Sequence, residues 1–298
     1  MTPDAILAHP ARVLTQAQRE AYFAKGYFAA QDLIPRDWLN RLNDLSASFL
    51  DESRRHAKSN EAFDLGPAHS AATPHVRRLR ALVDRHPEFW RFASDSPLTD
   101  IAADLLGPDV KFHSSKLNYK WPGAGEVVKW HQDITAWPHT NYSLVTLGVY
   151  LDDVPAERGP LTCLPGSHQG PLYVHRDTDG IWTGSVRDAD MARQDMATAE
   201  DLTGPAGTVI GLHCRVLHAS RANFTDQVRP CALFVFASAD AFAWMPPPTP
   251  TSHTGEIVRG KPATVAHLDS TPCPVPPDWS QQGYGSIFVA QKAAAEAM

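Results

Sequence analysis

207-GTVIGLHCRVLHAS-220 and 229-RPCALFVFAS-238 are two short β-rich runs, dense in β-branched and aromatic residues and without helical spacing. Outward from them, 109-DVKFHSSKLNYKW-121, 143-SLVTLGVYLDD-153 and 160-PLTCLPGSH-168 have the same character. Several short strands separated by turns, with no alternation of strand and helix, point to an antiparallel barrel or jelly roll. Before residue 108 the pattern is helical. Thr15 and Gln18 form a capping box and Gly26 suits a stop, which predicts a helix over roughly 16–25. A short strand is expected over 26–34, ending at Pro35. Leu39, Leu42, Leu45, Phe49 and Leu50 then recur at helical spacing within 36–56, and another helix is expected over about 87–105, ending at Gly107.

One domain spanning 1–298 is therefore expected: a mainly helical part over 1–107, a β core over 108–240, and a wrapping segment over 241–298. The stretch 169–205 is longer than a hairpin needs, and with Trp182 and its charges it suggests a lid or insertion over a site. The prolines of 246-PPPTP-250 and 272-PCPVPPDW-279 sit among aromatic residues and suit ordered coil.

Composition narrows the function. With 43% hydrophobic and 20% charged residues the 298-residue chain can bury a sizeable core. A formal charge of -6 and the lack of a Lys/Arg run argue against a nucleic-acid partner. No apolar run approaches the roughly 18 residues of a membrane span, and no secretory leader pattern is present. The four cysteines have no zinc-like spacing and are few for a disulfide scaffold, so a cytoplasmic setting is expected.

Within 126-EVVKWHQDITAW-137, His131 and Asp133 stand two positions apart, which on an extended backbone puts both on one face. Alone, such a pair is as readily a surface hydrogen bond. The run 207–220 offers a second imidazole, His213 or His218, and two histidines with one carboxylate suit a non-haem iron(II) ion with three open positions.

Three blocks in order carry a family resemblance: 130-WHQD-133, 158-RGPLTCLPGSHQG-170 and 207-GTVIGLHCRVLHASRANFTDQVR-229. From about Lys116 to Ala239 the chain resembles the phytanoyl-CoA dioxygenase family of iron(II)- and 2-oxoglutarate-dependent oxygenases. The N-terminal helices and the 283-GYGSIF-288 tail fit that layout less specifically. The resemblance implies a mainly β, cupin-like double-stranded β-helix (a jelly roll) with N-terminal helices packed on the barrel. It implies iron(II), 2-oxoglutarate and O2 as cofactor and cosubstrates, with His131, Asp133 and His218 as metal ligands. His218 is preferred to His213 because Ser220, Asn223 and Arg229 follow it at the family spacing; His213 and His168 are then expected to pack or order turns. Arg229 is implied as the anchor of the cosubstrate's distal carboxylate, a task suited to a planar guanidinium. Ser220, Thr146, Asn118 and Gln132 are further expected cosubstrate contacts. A carboxylate at Asp133 favours hydroxylation, since related halogenases place chloride there.

For the small-molecule substrate, 130-WHQDITAW-137 is similar to a WHSDxxTW stretch of ectoine hydroxylases, departing at Gln132 and Ala136 and in the following 138-PHTNY-142. Trp137 is either core or a wall for a compact cation, and Lys116 is either a contact or solvated. No basic cluster for an acyl-CoA is visible along the chain, although folding could assemble one. Two rival readings stay open: a cupin using another metal, and a non-catalytic protein retaining the fold. The oligomeric state is not legible.

Overall fold

The computed structural model describes residues 1–282 and 286–296. Gly283, Tyr284 and Gly285 of the tail named above lie outside the described residues. Twelve strands are described: β1 (Tyr27–Ala30), β2 (Phe63–Leu65), β3 (Val76–Arg80), β4 (Val110–Lys120), β5 (Val128–His131), β6 (Leu144–Tyr150), β7 (Leu161–Cys163), β8 (Glu200–Leu202), β9 (Val209–His213), β10 (His218–Ser220), β11 (Arg229–Ser238) and β12 (Ile257–Arg259). They form two antiparallel sheets. The larger runs β1-β9-β6-β11-β4-β3-β2, with β12 also on β4; the smaller runs β5-β10-β7-β8. This is the jelly-roll arrangement, with both sheets open at their edges and helices accounting for much of the first hundred residues.

The long central strand β11 shows how the layers form. Its ten residues are all buried, so both faces are covered. Ala232, Phe234 and Phe236 point outward into a core with Phe89, Phe92, Leu98, Ile101 and Leu105 of the helices. Arg229, Cys231, Leu233 and Val235, at the alternate positions, face the cavity between the sheets. Each fully buried aromatic ring on the outer side contributes roughly 1.5–3 kcal/mol of hydrophobic stabilisation, so the helical layer holds the large sheet firmly while its inner face is left for polar groups.

The first helix read from sequence is found over Gln16–Lys25 with the Thr15–Gln18 box in place. Gly26 ends it in the left-handed region at φ 87°, and any Cβ there would meet the His168 ring at 2.5 Å. Glycine is thus required twice at this position, once by conformation and once by the close approach. The helix expected over 87–105 is two helices, Pro87–Asp95 and Pro97–Leu106. Pro97 drives Ser96 to an extended conformation, and the Ser96 hydroxyl caps the second helix by accepting from Leu98 N. The run 207–220 is also divided. β9 belongs to the large sheet and β10 to the small one, so the chain changes sheets between His213 and His218. Finally, β2 and β3 fall in a stretch read as helical; they add two strands to the large sheet's edge.

The N-terminal segment is tied to this frame by one carboxylate. Asp104, buried, accepts from the backbone N–H groups of Arg12, Val13 and Leu14 at 2.7, 2.9 and 2.8 Å. Asp104→Ala would strand three backbone donors, that of Leu14 fully buried, and we expect it to lower the unfolding free energy by about 1–3 kcal/mol, measured by urea denaturation.

Candidate metal centre

Strand register brings the three proposed ligands together. β10 runs antiparallel to β5 with His218 opposite His131, so both imidazoles leave neighbouring strands on the same face. Their rings sit 4.1 Å apart. Asp133 is not on the strand: Gln132 is still extended, and the chain then enters a 3-10 turn over Asp133–Thr135. The shared face expected of positions i and i+2 survives because Gln132 keeps the pleat. His131 Nε2 and His218 Nε2 each lie 3.8 Å from Asp133 Oδ1, and the side chains are only 12%, 6% and 12% exposed for His131, His218 and Asp133. One ligand atom from each lies within 4.8 Å of the others.

The aim of both rings is set from behind. His131 Nδ1–H donates to Lys129 O at 2.9 Å and His218 Nδ1–H to Val216 O at 3.1 Å. A proton held on Nδ1 leaves the Nε2 lone pair directed at the common point. Burial, reinforced by the neighbouring His218, pushes the His131 imidazole well below its usual range and keeps it neutral. Burial alone would raise the Asp133 carboxyl, but His218, Lys116, His131 and a Thr146 hydrogen bond outweigh it and hold the group at about 2. Two imidazoles and one ionised carboxylate are the donor set that a divalent cation of the non-haem iron type accepts.

The remaining expected residues separate into groups. Arg229, Ser220, Asn118, Thr146, Lys116 and Trp137 all line the cavity that the triad faces. Arg229 is buried and its Nε has no hydrogen-bond partner. Thr146 Oγ1 donates to Asp133 Oδ2 at 2.8 Å, which orients the carboxylate. Trp137 serves two purposes: it packs with Ile134, Leu144 and Val235, and its ring stands 5.1 Å from His113 on the cavity wall. Gln132 also borders this cavity, with its side-chain amide engaged elsewhere. Both amide hydrogens are used on Pro171 O and Arg215 O, and its oxygen accepts from Tyr173 N. Pleat alternation turns this side chain away from its two neighbours and into the 169–205 segment. His213 packs against Tyr22 and His168, and His168 in turn reaches Phe23 O.

Three contributors were missed in the linear reading. His175 accepts from Gln132 N at 2.9 Å through Nε2 while its Nδ1–H donates to Tyr173 O, bracing the turn between the two proximal ligands. No spacing rule marks it among fourteen histidines. Lys120 lies beside Arg229, and burial together with that guanidinium lowers its ammonium to about 7. It was legible in principle, because positions 116, 118 and 120 share a strand face. His113 is the extra residue of a β-bulge, since Val235 pairs Ser114 while Phe236 pairs Phe112.

An iron-type facial triad between the sheets of a jelly roll defines a class, the non-haem metal oxygenases. Within it, the phytanoyl-CoA dioxygenase (PhyH) family model matches residues 22–231, and the chain belongs to that family. A relative from Stutzerimonas stutzeri, named a probable alpha-ketoglutarate-dependent hypophosphite dioxygenase, is 30% identical over 288 residues, covering 94% of this chain and 98% of that protein. Ectoine dioxygenase of Sphingopyxis alaskensis is 27% identical over 241 residues, covering 75% and 76%. A crystal structure of EctD from S. alaskensis with 2-oxoglutarate and 5-hydroxyectoine superposes with a TM-score of 0.64 at 24% identity over 78% of this chain and 80% of that one, which bears out the fold.

Burial lowers three histidines behind this site, His139 and His175 to about 4 and His213 to about 3. Each is neutral when folded but takes up a proton near pH 6.5 when unfolded. Their contribution is therefore full above pH ~6.5 and is lost as pH falls toward 4. The urea midpoint of the metal-free protein should decline over that interval, and His213→Gln should make the decline shallower.

Proposed function

We propose that this chain is an iron(II)- and 2-oxoglutarate-dependent dioxygenase that hydroxylates an unactivated C–H bond of a small soluble molecule, releasing succinate and carbon dioxide. The observation that carries the reading is the convergence of two imidazole Nε2 atoms and one carboxylate oxygen on a cavity that also holds a buried arginine with an unpartnered Nε. The family membership and the relatives' names support the same chemistry.

His131, Asp133 and His218 hold the metal, and Thr146 keeps the carboxylate turned toward it. Iron and 2-oxoglutarate supply the oxygen chemistry, with O2 as the second cosubstrate. Arg229 meets the distal carboxylate of 2-oxoglutarate. A buried guanidinium with a free donor suits a carboxylate that is otherwise costly to bury. Lys120 stands next to it, and an arriving anion favours its charged form. Ser220 and Asn118 flank the same wall. Residues 169–205 act as a lid, with His175 and Trp182 on its cavity side; Trp182 stacks on His175 at 5.8 Å. Closing this side keeps water from the reacting centre. The chain is divided as a single domain with its β core at 108–240 and a wrapping segment at 241–298. Cys163, Cys214, Cys231 and Cys273 are all free thiols, which supports a reducing, cytoplasmic setting.

His131→Ala and His218→Ala should each abolish iron-dependent succinate formation and hydroxylated product, followed by mass spectrometry. Thr146→Val should lower iron affinity by about 10–100-fold through loss of the carboxylate's orienting bond. Arg229→Ala should raise the 2-oxoglutarate KM by at least about tenfold with iron affinity retained. An unchanged KM removes the Arg229 assignment.

A further inference from the structure

The helix Ile287–Glu296, in the wrapping segment, closes one side of the cavity. Ser286 opens it: the hydroxyl accepts from Phe288 N at 3.3 Å, and the carbonyl accepts from Val289 N and Ala290 N. Ile287 and Phe288, on that first turn, line the cavity that the triad faces. One turn further along, Gln291 is only 5% exposed. A side-chain amide buried to this degree needs both of its polar ends met.

They are met by two backbone groups from remote stretches of chain. Gln291 Oε1 accepts from Lys129 N at 3.0 Å, and Gln291 Nε2 donates to Gly184 O at 3.0 Å. The approach at Gly184 is close: φ there is +65°, and a Cβ would stand 3.3 Å from Ile287 Cγ1. An amide presents an acceptor and a donor side by side, so at this length glutamine alone makes both bonds.

Lys129 is where this contact reaches the metal centre. β5 is the terminal strand of the smaller sheet, with no neighbouring strand on one edge among the described residues. None of its four residues is buried, in contrast to all ten of β11, so packing holds β5 less firmly. An edge strand also needs acceptors from elsewhere for its outward N–H groups. At Lys129 that acceptor is Gln291. The carbonyl of the same residue accepts from His131 Nδ1–H at 2.9 Å, the bond that aims Nε2 at the metal position. Gln291 and His131 thus hold one residue by its N–H and its C=O. Fixing the N–H restrains the backbone rotation that would swing the carbonyl away from the imidazole.

We propose that Gln291 is a positioning residue for the metal centre: it fixes the Lys129 backbone so that Lys129 O stays on His131 Nδ1–H, with Gly184 O holding the amide in place. The assignment rests on the oxygenase reading for the identity of the metal, whereas the chain of bonds from Gln291 through Lys129 to His131 exists without it.

The test compares Gln291→Leu, Gln291→Asn and Gln291→Glu in the full chain. Leucine removes both bonds, and asparagine is a methylene too short to reach Lys129 while staying polar. Glutamate keeps, in either protonation state, an oxygen that can accept from Lys129 N–H. In the metal-free protein, ring nitrogen NMR shifts should report His131 as a single Nδ1–H tautomer in wild type and in Gln291→Glu, and as a mixture in the other two variants. Anaerobic calorimetry should show iron(II) affinity about tenfold weaker in Gln291→Leu and Gln291→Asn, the low end for groups that orient a ligand from behind, and within about threefold of wild type in Gln291→Glu. A purely structural role predicts equal losses in all three, in step with the urea midpoint. Equal losses overturn the proposal, as does a wild-type tautomer and affinity in Gln291→Leu or, should that variant not fold, in Gln291→Asn. If the wild-type chain binds no iron(II), the oxygenase reading is what fails, and the His131 tautomer in the metal-free variants still decides the role of Gln291.

Discussion

Two backbone carbonyls, Lys129 O and Val216 O, hold the protons on the rear nitrogens of His131 and His218, and the rest of the site depends on this. Were either ring free to turn, the two Nε2 lone pairs and the Asp133 oxygen would have no common focus. Each of these bonds is local, to the carbonyl two residues earlier, and the pairing of β5 with β10 then sets the histidines opposite each other. A strand slip of one residue would send one imidazole to the other side of the small sheet. The smaller sheet therefore behaves as the rigid jaw of the site.

The larger sheet does different work. Its outer face is committed to the helical core, where Phe234 and Phe236 of β11 meet Phe92 and Phe112. Stability collected on that side leaves the inner face free for groups that are expensive to bury: Arg229, Lys120, Lys116 and Arg78. A cation row in a protein interior is sustained only where an anion or solvent compensates it. The inner face of the larger sheet thus carries buried charged groups, while the smaller sheet carries His131 and His218.

The 169–205 segment links the two. Gln132 lies between the proximal ligands in sequence but points into this segment, binding Pro171, Tyr173 and the Arg215 carbonyl. His175 returns from the segment to the Gln132 backbone. The 169–205 segment and the turn carrying His131 and Asp133 are thus tied together by hydrogen bonds in both directions.

The amino-acid order alone was enough for the strand-rich core, the capped helix ending at Gly26 and the His131–Asp133 pair, while the preference for His218 came with the family resemblance. These are properties of local pattern: pleat alternation, capping chemistry and fixed spacing survive without knowledge of what packs where. The break at Ser96 was legible too, in Pro97, but helical periodicity continues across it and hides it. What the tertiary structure alone decided is the division of 207–220 between two sheets, the redirection of Gln132, the recruitment of His175, and the gathering of Arg78 and Arg80 beside Lys116. Each of these depends on contacts between residues remote in sequence, and strand pairing is set by the global balance of burial and hydrogen bonding, which no local pattern encodes.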